Sequence, residues 1–397
     1  MLIQIPLTFP SFNLYSTPLL ILVLQGLVFA ALLFSRYFSK KNISDLLLAT
    51  ILLITCYHRT TYTIGFMDWY DTYRNTKINY YLINMGLVFA PLLYFYVKSI
   101  TVSDFKFQKK DIWHFIPWGI YFVLKMIVLI YDAQQPGFSE TQNGPLVVNF
   151  QWKYIDPFHS LLLYSQMLLY LAFTFQLFYQ YRRNIQQFFS NAFSLELNWM
   201  RNFLFIYAAL FLYDLGQTIV NMAISELSWT QKWWLHFFNA LAIIYIGVKG
   251  YFTDTGRLKG LQFNGSQQLM AQDAQTSDRT KKNNDDLSGK VSKVTQYFTE
   301  EKPYLNPELN LLNLSEALSM NRAELSEVIN VGFGKNFNDF VNQYRVEAFK
   351  EKLADGKHRQ LSLLGIAFEC GFNSKATFNR VFKKLTQQSP TQYLSSL

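Results

Sequence analysis

The sequence predicts an all-α protein in two parts: a polytopic bundle of membrane-length apolar helices, then a charged, all-helical domain. Three observations lead there. Half of the 397 residues are hydrophobic and 18% are aromatic, with 37 Phe and 25 Tyr. Charge is uneven: residues 1–252 hold 17 Lys/Arg and 11 Asp/Glu, whereas the 145 residues from 253 hold the other 19 and 16. Beyond residue 310 the apolar residues recur at helical spacing, in short runs broken by polar turns. The net charge of +9 suits an anionic membrane surface or nucleic acid equally. Cys56 and Cys370 fall on opposite sides of the charge boundary, so neither a disulfide framework nor a cysteine-based zinc site is expected.

Seven apolar segments precede residue 253, at 18–35, 43–57, 79–97, 112–131, 157–179, 202–221 and 233–252. Most approach the roughly 20 residues that cross a bilayer. The second is short and borrows polar neighbours such as His58 and Arg59. Seven such segments leave too little polar surface for a soluble bundle.

Loop cations set the expected orientation. One side carries Arg36, Lys40, Lys41, Lys98, Lys106, Lys109, Lys110, Arg182, Arg183, Arg201, Lys249, Arg257 and Lys259. The other carries Arg59, Arg74, Lys77, Lys153 and Lys232. This bias places the N-terminus outside the inner membrane and everything from residue 253 in the cytoplasm. Nothing basic precedes Arg36, so the first segment reads as a retained span and not a cleaved signal. The longest outer loop, 132–156, is too short to fold alone.

Ionisable and amide side chains inside spans are costly and call for a partner or a cavity. Lys125 and Asp214 lie at matched depth on spans four and six, and His159, Gln217, Asn221, His236 and Asn239 fall in the same outer layer. The bland reading is that Lys125 snorkels outward and the amides join helices. The sharper one is a membrane ligand pocket formed by Lys125, His159, Asp214, Gln217, His236 and Asn239, with Lys125 and Asp214 paired or sharing a polar ligand. No HExxH, Glu-x-x-His pair or Gly-rich phosphate loop appears, so no catalytic residue, metal or cofactor is expected.

Residues 253–290 are rich in Gln, Asn, Asp, Ser and Thr and read as a flexible cytoplasmic linker. A short amphipathic helix follows, with Val291, Val294, Tyr297 and Phe298 on one face before Pro303. It could pack on the next domain or pair with a second chain.

The remainder reads as the same pattern twice. In the first copy Ala317 and Leu318 face inward, a break falls at Ser319–Met320, and Asn321 caps the next helix. Leu325, Val328 and Ile329 form its buried stripe, leaving Arg322, Ala323, Ser326, Glu327 and Asn330 outward. A long helix at 337–353 leads to the second copy. There Ile366 and Ala367 face inward, Gly371 makes the turn, Phe372 packs back and Ser374 caps. Phe378, Val381, Phe382 and Leu385 form the apolar stripe, leaving Lys375, Ala376, Asn379, Arg380 and Lys383 for a partner. Small residues at a helix start let it enter a major groove, where Asn and Arg can grip base edges or phosphates. Two helix-turn-helix motifs joined by one helix of about 25 Å fit successive major grooves on one face of DNA. The DNA-contacting set is therefore Asn321, Arg322, Ala323, Ser326, Ser374, Lys375, Ala376, Asn379, Arg380 and Lys383.

Residues 291–397 resemble the DNA-binding domain of AraC/XylS-type transcription regulators. The matching positions are Ala317, Leu325, Ile329, Gly334, Phe337, Phe340, Arg345 and Ala348, then Ile366, Ala367, Gly371, Phe372, Phe378, Arg380, Phe382, Pro390 and Tyr393. Ser319 and Gln387 stand where glycines are usual, and Leu394 where an arginine often is. The whole chain looks like a bacterial variant in which several spans precede such a domain. The resemblance implies sequence-specific binding of double-stranded DNA, control of transcription and contact with RNA polymerase. Lipid bilayer, an unidentified ligand and a second copy in a homodimer complete the expected partners. The alternative is a transporter-like membrane protein with a regulatory DNA-binding tail. Inverted repeats or broken spans would mark it, whereas Pro91 and Pro117 are isolated interruptions.

Overall fold

The computed structural model describes residues 10–73, 81–102, 105–141, 143–192, 195–253 and 284–397. The described residues are helical, with no strand and one isolated bridge between Phe189 and Asn310. Two compact units emerge. Met1–Phe178 and Asn198–Leu261 make the first, and Tyr179–Leu197 and Gln262–Leu397 the second. The charge boundary at 252 therefore misses one segment: Tyr179–Leu197 groups with the C-terminal unit.

The first unit is built from α1 (Ser16–Lys40), α2 (Ile43–Gly65), α3 (Gly86–Thr101), α4 (Ile116–Ala133), the start of α5 (Asp156–Phe188), α6 (Asn198–Ala223) and α7 (Trp229–Tyr251). Each expected apolar segment falls on one of these, with shifted starts. Of the third, residues 79–80 lie outside the described residues and its long helix starts at Gly86, and the fourth opens as a 3-10 turn, Lys109–Phe115, boxed by Gln108 and Asp111. Pro117 sits in the first turn of α4, where a missing N–H leaves no bond unmade, and Pro91 lies inside α3. The outer loop is not bare, because Val147–Ile155 forms a π-helical run that leads into α5. Buried Asp132 holds its start, accepting from the Leu146 N–H at 2.8 Å, the Val147 N–H at 3.1 Å and the Tyr81 hydroxyl at 3.0 Å.

Helices α1, α2 and α7 pack on one another, with α3 against α2 and α6 against α7. Arg36 closes one end, bidentate to Asp45 at 2.5 and 2.8 Å and donating to the Tyr251 carbonyl at the end of α7. Among the described residues four helical stretches are long and apolar enough to cross a membrane: Ser16–Lys40, Lys109–Ala133, Val147–Phe188 and Asn198–Ala223. Their apolar side chains point largely outward, Leu24, Val28, Ile120, Ile127, Leu161, Leu168, Leu212 and Ile219 among them. A soluble helix would bury such a stripe.

The second unit contains α8 (Asn284–Glu300), α9 (Leu311–Ala317), α10 (Arg322–Glu327) with its π-turn Val328–Gly332, α11 (Phe337–Ala354), α12 (Leu363–Glu369), α13 (Lys375–Thr386) and α14 (Pro390–Ser395). Of the expected linker, residues 254–283 lie outside the described residues. Helix α8 starts at Asn284, earlier than expected, because Leu287 extends the stripe of Val291, Val294 and Phe298 back by one turn. That stripe packs into the core of the unit. Among the described residues of this unit side-chain caps start six helices: Asn310, Asn321, Asn336, Ser362, Ser374 and Ser389 each accept a backbone N–H three residues on. Each is worth about 1 kcal/mol, which matters for helices of six or seven residues that cannot persist alone.

Candidate nucleic-acid interface

The two turns are built alike. In the first, Ser319 adopts φ +50° and the Met320 N–H reaches back to the Ser315 carbonyl at 2.9 Å. In the second, Gly371 adopts φ +88° and the Phe372 N–H reaches the Ala367 carbonyl at 3.1 Å. Both are six-to-one closures of a helix end that turn the chain sharply into the next cap. Gln387, the other usual glycine position, also lies at φ +62° and closes α13 through the Lys383 carbonyl. The two departures thus retain the left-handed backbone without the residue that adopts it freely.

Helix α11 packs between the motifs, against the α10 π-turn on one side and α12 and α13 on the other. Its 18 residues span about 27 Å. Phe337, Phe340, Val341, Val346 and Phe349 are buried, and Phe349 meets Phe378 and Phe382 of α13 at 4.7 and 5.3 Å. Arg345, 1% exposed, is the polar hub. Its Nε donates to the Tyr304 carbonyl and its Nη2 to the Asn306 carbonyl, both at 2.8 Å. Burial pulls the guanidinium down to about 10, and the nearby Glu308 charge opposes the fall.

On α13 the expected outward face is outward: Lys375, Ala376, Asn379, Arg380 and Lys383 are exposed. Ser374 is occupied as the cap, accepting from the Thr377 N–H at 3.2 Å. On α10, Asn321 is exposed but its side-chain Oδ1 accepts from the Glu324 N–H at 2.8 Å. Arg322 and Ala323 are half-buried. Three expectations need correction. Ser326 is buried and accepts from the Asn330 amide at 3.2 Å, because it borders the core stripe of Leu325 and Ile329 on α10. Ala317 is exposed at the last turn of α9, where Leu311, Leu314, Ser315 and Leu318 face the core. Leu385 is 41% exposed near the end of α13.

Ion pairs rim this face. Lys384 meets Asp339 at 2.7 Å, and Lys290 joins Asp286 and Glu324, whose carboxylates push its ammonium up. Lys352 bonds Glu369 and holds that carboxyl below its ordinary range. The Arg380 guanidinium faces Glu196 of the Tyr179–Leu197 segment, Nη1 to Oε2 at 3.4 Å. Neither Glu196 nor Ser190 was expected at this site. The available signal was that Glu196 is the sole acidic residue in the otherwise basic stretch 179–201.

The expected Lys125–Asp214 pair does not form, and the polar residues of the first unit fall into smaller groups. Lys125 does not meet Asp214. Its Nζ donates to Gln151 Oε1 at 2.8 Å, and Gln151 in turn donates to Asp156 at 3.1 Å. Asp214 accepts from the Tyr164 hydroxyl at 3.2 Å, which also meets Thr218 at 2.6 Å. His236 is bonded to Arg59. The His159 ring lies tilted by 33° against that of Tyr121, centroids 4.1 Å apart, and its buried Nε2 has no hydrogen-bond partner among the described residues. Gln217 and Asn239 bond backbone carbonyls of α7, Gln231 at 3.4 Å and Leu235 at 2.8 Å. Among the described residues no cluster has the make-up of a metal site.

Comparison with known proteins bears on the second unit. Residues 314–396 match the family model described as a helix-turn-helix domain. The C-terminal region is a helix-turn-helix domain. The match lies within the stretch that resembles the AraC/XylS-type domain. A protein of Staphylococcus aureus (strain COL), named an uncharacterized HTH-type transcriptional regulator, is 34% identical over 110 residues, 28% of this chain and 14% of that protein. One of the same description from Haemophilus influenzae is 34% identical over 84 residues, 21% of this chain and 27% of that protein. The chain thus spans a small part of the length of these curated relatives. No solved structure matches the chain significantly.

Proposed function

We propose that the chain is a membrane-anchored, sequence-specific DNA-binding transcription regulator of the cell inner membrane, which takes a signal at or across that membrane and acts on promoters directly. The observation that carries this reading is the joining, in one chain, of a helix-turn-helix domain to helices of membrane length whose apolar side chains face outward. Loop cations favour a cytoplasmic domain. The paired turns leave Asn379, Arg380 and Lys383 on the exposed face of α13, where a helix entering a major groove would present them.

A polar layer among the apolar helices is the favoured place for the signal. His58 lies within electrostatic reach of both Arg59 and His159, Arg59 of Asp214, and Lys125 of Asp156. Such groups in spans mark ligand or ion sites more often than packing alone requires.

Two measurements test the reading. Reporter fusions at Gly144 and after Leu397 should show opposite sidedness; the same sidedness overturns the topology. Chromatin immunoprecipitation of the full-length tagged protein should enrich discrete promoters, and recovery spread evenly over the genome overturns sequence-specific regulation.

A further inference from the structure

Segment Tyr179–Leu197 is seated in the DNA-binding unit by a built polar surface. Asn338, Asn342 and Arg345 lie along one stripe of α11 and are all buried. Asn338 Nδ2 donates to the Ser190 carbonyl at 2.7 Å and the Phe189 carbonyl at 3.1 Å. Asn342 Nδ2 and Arg345 Nη1 reach the same Ser190 carbonyl at 3.4 Å. Arg345 Nη2 donates to Ser190 Oγ at 3.1 Å, and that hydroxyl donates to the Leu309 carbonyl at 2.6 Å. Phe188 enters the domain core.

Glu196, further along the same segment, is 1% exposed. The carboxylate is held by Arg182 at 3.1 Å and Gln186 at 3.2 Å, and it faces Arg380 Nη1 at 3.4 Å. Arg380 is the arginine on the exposed face of α13. A DNA phosphate taking up Arg380 would approach the Glu196 carboxylate, and like charges at that range repel. Arg380 can leave without stranding the carboxylate, because Arg182 and Gln186 remain on it.

We propose that Tyr179–Leu197 carries an in-chain clamp whose Glu196 competes with DNA for Arg380, so that the form with this ion pair made binds DNA less tightly than the form in which Arg380 has left Glu196. The proposal rests on the DNA-binding reading above. One further phosphate contact steepens the salt dependence by about 0.9 and at 0.1 M salt is worth about eightfold in affinity.

The test uses the full-length protein in lipid nanodiscs and a fluorescent 30-base-pair duplex of mixed sequence, titrated across a salt series. Glu196→Gln is expected to bind about eightfold tighter at 0.1 M salt, with the steeper slope. In an Arg380→Ala background the same change is expected to do nothing. Asn338→Ala removes donors to both anchor carbonyls without touching the ion pair, and is expected to tighten binding in the same direction. This second variant decides the matter if Glu196→Gln does not fold. Wild-type binding with no response from either variant overturns the clamp alone. Tightening by Glu196→Gln that persists without Arg380 also overturns it, because loss of any negative charge would then suffice. No binding by wild type or any variant overturns the clamp and the DNA-binding reading together.

Discussion

Replacing Gly371 by alanine tests the second turn most severely. At φ +88° an added Cβ would lie 2.2 Å from the Tyr304 carbonyl oxygen and 2.9 Å from Arg345 Nε. The left-handed backbone costs an L-residue about 1–2 kcal/mol. The carbonyl must move, and it is the one that accepts from Arg345 Nε at 2.8 Å. Losing that charge-assisted bond costs about 1.5–3 kcal/mol. A stiffer unfolded chain returns about 0.4–1 kcal/mol. The net loss is about 3 kcal/mol, a large part of a typical domain's stability. The neighbouring thiol reports it. Cys370 is fully buried, and burial pushes it up to about 11, so alkylation at neutral pH waits on local opening. Peptide-resolved labelling of Cys370 should accelerate about 150-fold in Gly371→Ala, at 1.4 kcal/mol per tenfold. Gly356→Ala is the control, with φ +75° and no atom within 4 Å of the added carbon. It carries only the backbone cost and should accelerate labelling about fivefold. Equal rates in the two variants, or a Gly371→Ala rate within threefold of wild type, would refute the reasoning.

Ser319→Gly and Gln387→Gly should each stabilise the domain by about 0.5–1 kcal/mol in thermal unfolding, since relief of the left-handed penalty exceeds the entropy glycine adds to the unfolded chain. The Cys370 thiol rises from 9.0 to about 11 on burial, so its contribution is fully present below pH 9 and is lost as pH climbs toward 11. Wild type should therefore lose about 2–3 kcal/mol more than Cys370→Ala across that window in denaturant titrations at stepped pH. Lys383→Ala should weaken duplex binding evenly across sequences and flatten the salt slope by about 0.9 in anisotropy titrations. A double-mutant cycle of Lys125→Met and Asp214→Asn, read by thermal stability in detergent, should be additive within about 0.5 kcal/mol, because the two have separate partners.

The repeated turn was legible because it is local. A cap, an apolar pair and a break recur within about twenty residues, and backbone sterics demand a left-handed residue at Ser319 and Gly371 alike. Even the departures carried information: Ser319 and Gln387 mark the positions where the backbone remains left-handed without glycine. Faces were read less well where regular helix ended. Ala317 lies at the last turn of α9, and Ser326 sits at the edge of the α10 core stripe, where helical spacing alone does not decide the side. Lys125 and Asp214 show a different failure. Counting along a span gives depth but not direction around the axis, and Lys125 met Gln151 in an outer segment expected to be loop. The clamp was least legible. Ser190 and Arg345 are 155 residues apart, and no periodicity within either segment encodes that contact.

The clamp joins two attachments of unequal strength. The Ser190 anchor gathers donors from Asn338, Asn342 and Arg345 on one buried carbonyl and hydroxyl, and undoing it would strip the Ser190 carbonyl of its donors and the Asn338 amide of its acceptors, while Arg345 would keep the Tyr304 and Asn306 carbonyls. Each buried group so stranded costs about 1–3 kcal/mol. The Glu196–Arg380 contact is different: it is longer, its arginine is 43% exposed, and its carboxylate keeps two other partners. An eightfold change in DNA affinity corresponds to only about 1.2 kcal/mol. A signal need not undock the segment to reach that value. It need only bind unequally to the arrangements with Arg380 held and released, and a differential of that size is small beside the 5.5 kcal/mol or so that a complete population reversal takes. The anchor would then keep the segment in register while Glu196 alone exchanges, which confines the regulated step to a single ion pair on the exposed face of α13.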